Sequence, residues 1–181
     1  MIYYDDEGHV YSDGWNQIPG VTTVLSSYFD IDPAFYAPGA ADRGTRAHEL
    51  CAAYASGERG ELRDPYARAF AQWLFDSGAR VLEVESIIEG DLGGMRYAGR
   101  YDLIVELAGL RVLIDLKTGA KARWHAAQVA AYSVAVKPPP ARAAVLYLRR
   151  DESYRLDILA PGDLAHGLVT FKAALAAWGQ K

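Results

Sequence analysis

The sequence predicts an α/β fold, a central mixed β-sheet flanked by α-helices. Three observations carry that prediction. Between 81 and 117 the chain runs through three stretches of β pattern separated by turn signals. Apolar residues at helical spacing mark helices both before and after these strands. Two more strand patterns and a last helix follow, and the order ααβββαββα gives a mixed sheet with helices packed on it.

Taken in order, short strands around Ile2 to Tyr4 and His9 to Tyr11 form a hairpin across the Asp-Asp-Glu-Gly turn. After Pro19-Gly20, the stretch Val21 to Leu25 starts a short helix, although its β-branched residues resist one. From Ala41 to Ala55, Ala47, Leu50, Cys51 and Tyr54 fall at i, i+3, i+4 and i+7, the spacing of a helix with one buried face. Asp64 and Pro65 are an N-cap and first-turn pair opening a helix to about Gly78, with Phe70, Trp73 and Leu74 inward. Strands follow at 81–89, 95–107 and 111–117, three antiparallel neighbours joined by Asp91-Leu92-Gly93-Gly94 and Ala108-Gly109. A helix over 122–136 is stopped by Pro138-Pro139-Pro140, and strands at 142–149 and 153–159 lead to a helix from Asp163 to Trp178.

No repeat, low-complexity tract or long Ser, Gly or Pro linker divides the 181 residues, so the chain reads as one domain, 1–181. Within it, 1–80 hold the hairpin and first helices, 81–136 a core of three strands and a helix, and 141–178 the last strands and helix. A chain of this length buries roughly 70% of its unfolded surface and needs no staples. The single cysteine, Cys51, excludes an intramolecular disulfide, a Cys-ligated zinc site and a four-Cys iron–sulfur cluster, and suits a reducing cytoplasm. No run approaches the roughly 18 apolar residues of a membrane span, and the first residues lack the basic and apolar regions of a signal peptide. A cytoplasmic location, with no membrane partner, is therefore expected. The formal charge of −4 is uneven: residues 1–90 carry 15 acidic and 6 basic side chains, residues 91–181 carry 8 and 13. The basic second half permits an anionic substrate.

The chemistry concentrates where the apolar strand Val112-Leu113-Ile114-Asp115-Leu116-Lys117 ends in Asp-x-Lys. Strand alternation puts Asp115 and Lys117 on one face about 7 Å apart along the backbone, with Leu116 turned away. Gly119 lets the chain leave the sheet. Asp102 lies mid-strand in Gly99-Arg100-Tyr101-Asp102, where an ionised carboxylate needs a partner. A hairpin across Ala108-Gly109 brings Asp102 near Asp115, and two such carboxylates repel unless a divalent cation neutralises them. Oxygen ligands favour Mg²⁺ or Mn²⁺ over zinc. Glu85, in the preceding strand, is a third acidic candidate, and Glu83 shares its face by alternation, so either can point at the site. His48 follows Gly44 by one helical turn, at the edge of its helix's apolar face, and Gln128 and Tyr132 meet at i and i+4.

The ordered series Gly44-x-x-x-His48, Glu85, Gly99-x-x-Asp102, Asp115-x-Lys117, Gln128-x-x-x-Tyr132 resembles the RecB-like branch of the PD-(D/E)xK nuclease superfamily. The likeness extends to Ile18-Pro19-Gly20-Val21-Thr22-Thr23-Val24-Leu25, which looks like a segment of the single-domain phage and mitochondrial exonucleases of that branch. It implies a restriction-endonuclease-like core and a metal-dependent nuclease cutting DNA to leave 5′ phosphates from an end, in recombination, repair or replication. It also implies that His48, Asp102, Asp115 and the Leu116 carbonyl ligate one or two Mg²⁺ or Mn²⁺ ions, and that Lys117 orients or activates water. Glu85 then matches the acidic residue of the preceding strand, while Gln128 and Tyr132 contact DNA or support the catalytic strand. Tyr101 stands where the superfamily name has Pro, a departure common in this branch. With one cysteine, the iron–sulfur subfamilies do not fit.

Hydrolysis of a phosphodiester needs charge neutralisation around the phosphorus and a nucleophilic water, and the cation and Lys117 would serve those needs. Arg96, Arg100, Lys121 and Arg123 are candidates for DNA backbone contacts, with Trp124 or His125 as base-stacking groups. The alternatives are a structure-selective endonuclease and a catalytically inactive DNA-binding accessory of the same fold. The resemblance allows recombination or replication proteins as partners.

Overall fold

The structure is a computed structural model describing residues 2–5, 10–31, 39–58 and 62–180. Strands β1 (Tyr3–Asp5), β2 (Val10–Ser12) and β3 (Gln17–Ile18) form an antiparallel three-stranded sheet. The expected hairpin is present, extended by a third strand too short to show a pattern. Its connecting turn, with His9, lies outside the described residues. Helices α1 (Val21–Tyr28), α2 (Ala40–Ala55) and α3 (Pro65–Ser77) follow. The β-branched start of α1 is offset by burial, since Val21, Val24 and Leu25 are enclosed. Asp64 caps α3 by accepting from the Tyr66 and Ala67 amides at 2.9 and 3.1 Å, a cap worth about 1 kcal/mol.

The second sheet has the order β4 (Arg80–Asp91), β5 (Arg96–Leu107), β6 (Leu110–Lys117), β7 (Arg142–Leu148), β8 (Tyr154–Ile158). The pairs β4–β5, β5–β6 and β7–β8 are antiparallel. Only β6–β7 run parallel, which requires the crossover made by α4 (Trp124–Ala135). The closing helix α5 (Pro161–Trp178) starts two residues before the sequence expectation, because Pro161 serves as a first helical residue and the Asp163 carboxylate accepts from the Ala160 amide. The element order is longer than ααβββαββα by the N-terminal sheet and α1.

Helices cover both faces of the large sheet. Residues of α1, α4 and α5, among them Leu25, Val129 and Phe171, form one core with Ile104, Leu113 and Val145. Residues of α2 and α3, among them Cys51, Phe70 and Trp73, form the other with Leu103, Ile114 and Leu146. Gly167 permits the close approach of α5 to α4, since a Cβ there would lie 2.5 Å from the Ala126 carbonyl oxygen. The small sheet is tied to the large one by the Ala98 amide, which donates to the Pro19 carbonyl at 3.0 Å. Among the described residues no helix is long and apolar enough to cross a membrane.

Candidate active site

The ladder between β4 and β5 shifts register between Val81 and Glu83, just before the acidic residues meet. Glu85 and Asp102 fall between the pairs Val84↔Leu103 and Ser86↔Tyr101 without pairing themselves, and Glu85 has a φ of 44°. Tyr101 and Leu103, two residues apart, belong to opposite cores, so strict alternation fails at Asp102. That irregularity separates the two glutamates that sequence alternation left equivalent. Glu83 accepts from the Tyr101 hydroxyl and from Arg111 Nη2, whereas Glu85 lines the cleft with Asp102 and Asp115.

The cleft, about 360 Å³, lies between α2 and α4. From α2, His48 Nδ1 is 3.0 Å from Asp102 Oδ1. The Leu116 amide donates to Asp102 Oδ2 at 2.6 Å, so β6 holds the β5 carboxylate directly. Burial raises the Asp102 pKa, but His48, Lys117 and the Leu116 amide outweigh it and hold the carboxyl below its ordinary range. The His48 ring responds in the opposite sense: burial lowers its pKa, and Asp102 more than restores it. Asp115 is almost fully enclosed, and its pKa is raised by burial, with Asp102 adding to the rise against the pull of Lys117. Lys117 Nζ sits 2.6 Å from Asp115 Oδ2, yet off the direction of a hydrogen bond, so this oxygen has an ionic neighbour without a directed donor.

From α4, Gln128 Nε2 donates to the Tyr132 hydroxyl at 3.1 Å while Gln128 Oε1, also buried, has no hydrogen-bond partner among the described residues. Both side chains line the cleft, but both are buried, so they buttress it from behind and offer little surface to a macromolecule. Gly99 makes room for this packing, because a Cβ there would lie 2.6 Å from Tyr132 Cε1. Trp124 forms part of the wall, with Lys117 Nζ 5.6 Å from its ring centroid.

The remaining sequence candidates divide. Arg100 lines the cleft, 3.5 Å from Glu85 Oε2 and 5.0 Å from the Tyr4 ring centroid. Arg96 does not join it, being held by Asp13 at 2.6 Å and Glu89 at 2.7 Å near the β4–β5 turn. Lys121 pairs with Asp157 at 3.0 Å and Arg123 lies over a separate small cavity, both outside the cleft. His125 is buried and cannot stack on a base; its Nδ1 accepts from the Ala122 amide and contacts the Tyr147 hydroxyl at 3.0 Å. The cleft also uses Tyr4, Tyr11, Thr22, Thr45 and Glu49. All five lay in segments the sequence marked as strand or helix, but nothing in the local pattern singled out these side chains, because the packing of separate elements brings them to one cleft.

The residue types suit a divalent cation: two carboxylates and an imidazole line the cleft, and Asp115 keeps an oxygen without a directed donor. Among the described residues no three His, Cys, Asp or Glu side chains close a cage by themselves. A cation here would therefore need a backbone carbonyl or water to complete its shell.

Residues 30–176 match the family model of the PD-(D/E)XK nuclease superfamily. The chain belongs to that superfamily. Its mixed sheet flanked by helices is consistent with the superfamily's restriction-endonuclease-like fold. Membership implies a metal-dependent nuclease acting on DNA, and PD-(D/E)XK nucleases generally use divalent metal ions. A crystal structure of SSO0001 is similar at 16% identity and a TM-score of 0.41, covering 84% of this chain and 69% of that one. No curated protein matches the sequence. In this PD-(D/E)XK chain β5 and β6 bring Asp102, Asp115 and Lys117 to one cleft.

Proposed function

We propose that the chain is an Mg²⁺- or Mn²⁺-dependent deoxyribonuclease of the RecB-like branch, acting as an exonuclease on linear DNA in recombination, repair or replication. The observation that supports it best is the linked pair of contacts in one cleft, His48 on Asp102 and Lys117 on Asp115. In this reading Asp102, Asp115, His48 and the Leu116 carbonyl hold the cation. When bound, it lowers the pKa of water and neutralises charge around the phosphorus. Lys117 would orient the attacking water and add positive charge at the scissile phosphate. Glu85 contributes a third carboxylate, kept in place by Arg100. Gln128 and Tyr132 hold α4 against β5 so that Asp115 keeps its aim.

Asp115→Ala and Lys117→Ala are each expected to keep the circular dichroism of the parent and to lower Mg²⁺-dependent cleavage of end-labelled linear DNA by at least about 100-fold. Full activity in either purified variant would defeat the assignment. Covalently closed circles should be spared; nicking of them would point to an endonuclease. DNA binding without cleavage at any Mg²⁺ or Mn²⁺ concentration would instead mark an inactive accessory protein.

A further inference from the structure

Beyond the end of β6 lies a second depression, about 350 Å³, lined by the segment 118–121 that follows Lys117. It begins at Thr118, next in sequence to a residue of the cleft, and spans the C-terminal ends of the parallel strands β6 and β7, where Lys117 and Tyr147 are register partners. Its charge is opposite in sign to that of the cleft. The cleft sets Glu49, Glu85, Asp102 and Asp115 against Arg100 and Lys117, so without a cation it repels a polyanion. The depression sets Lys121, Arg149, Arg150 and Arg155 against Asp157 alone.

Two of these four cations are already engaged, since Lys121 and Arg155 both bind the Asp157 carboxylate at 3.0 and 2.6 Å. Arg149 and Arg150 are exposed and make no ion pair among the described residues. Of the acidic residues that follow them, Glu152 pairs with Arg68 at 2.9 Å, while Asp151 accepts from the Ser153 amide and hydroxyl and feels the Arg149 charge without forming an ion pair, which leaves Arg150 the less compensated of the two. The backbone beneath is fixed, with the Arg149 amide donating to the Ser153 carbonyl and the Glu152 amide to the Arg149 carbonyl. Two guanidinium groups therefore stand on a rigid turn beside a cleft that cannot by itself attract its substrate.

We infer that Arg149 and Arg150 form a phosphate-binding subsite that grips the DNA backbone outside the scissile position and supplies the metal-independent part of the affinity. The inference rests on the nuclease reading for its ligand. Guanidinium forks suit phosphate oxygens, and contacts of this kind position nucleic acid without reading its sequence. Exposed Gly119 and Ala120 at the rim leave the strand free to pass toward Lys117.

The test is fluorescence anisotropy of labelled single- and double-stranded oligonucleotides with the full chain in EDTA, over a series of salt concentrations. Arg149→Ala/Arg150→Ala is expected to bind about 10-fold more weakly and to flatten the log Kd against log salt plot by roughly 0.7 to 0.9 per lost contact. The control Arg142→Ala/Lys172→Ala removes equal charge at exposed positions elsewhere and should bind nearly as the parent does. Unchanged binding in the Arg149/Arg150 variant, equal weakening in the control, or no metal-free binding by the parent would each overturn the subsite. Cleavage of linear DNA by the parent with Mg²⁺ is followed in parallel. A parent that binds through these arginines but never cuts sinks the nuclease reading and leaves the subsite standing.

Discussion

His125 shows how a polar side chain can be excluded from a site by its partners. The Ala122 amide can only donate, so His125 Nδ1 must accept, and the ring stays neutral with its other nitrogen protonated. Burial, aided by Lys117 and Lys121, pushes its pKa down to about 3 from 6.5. The unfolded chain takes up a proton near pH 6.5 and the folded one does not until about 3. Between those values the unfolded state binds more protons, so this residue makes stability fall as pH falls, by up to about 1.4 kcal/mol per pH unit. His125→Asn keeps an acceptor and cannot titrate there. Urea unfolding from pH 6.5 to 4 should show a shallower loss of stability for the variant, and parallel curves would refute the assignment.

At the scale of elements, α4 and α5 meet through Gly167 against the Ala126 backbone. A methyl group there must push the helices apart, and overpacking of this kind costs about 1–3 kcal/mol, more than the roughly 1 kcal/mol that alanine gains over glycine in a helix. Gly167→Ala is therefore expected to lower the urea midpoint with no change in m, and a rise would show that the helices give way freely. Sequence made the helices legible where their signals are local, as in the apolar spacing of α2 and the Asp64-Pro65 start of α3, but placed the start of α5 two residues late. The strands from 80 to 117 were legible for the same reason, as was the meeting of Asp102 and Asp115 once a hairpin across Ala108-Gly109 joined their strands. What escaped was set by contacts between elements. Alternation made Glu83 and Glu85 equivalent, but a register shift just before Glu83 and a left-handed backbone at Glu85 break that alternation. Arg96 looked available because its captors, Asp13 and Glu89, come from a distant turn and a neighbouring strand. His125 looked available because nothing in sequence announces Tyr147 beside it.

Over the whole molecule, two cores share one sheet, since β5, β6 and β7 contribute side chains to both. We expect the chain to unfold as a single unit for that reason. Phe70→Ala in one core and Phe171→Ala in the other should each cost about 3–5 kcal/mol and shift far-UV circular dichroism and tryptophan fluorescence transitions together. Two separated transitions in either variant would mean that the helix layers melt independently. The same scale bears on any attempt to engineer this chain for heat resistance. Glu85 occupies a backbone conformation that glycine or asparagine adopts at less cost, so replacing it would relieve about 1 kcal/mol of strain. A library sorted for thermal tolerance alone would enrich that replacement and discard a cleft carboxylate, which makes position 85 one to hold constant in such a screen.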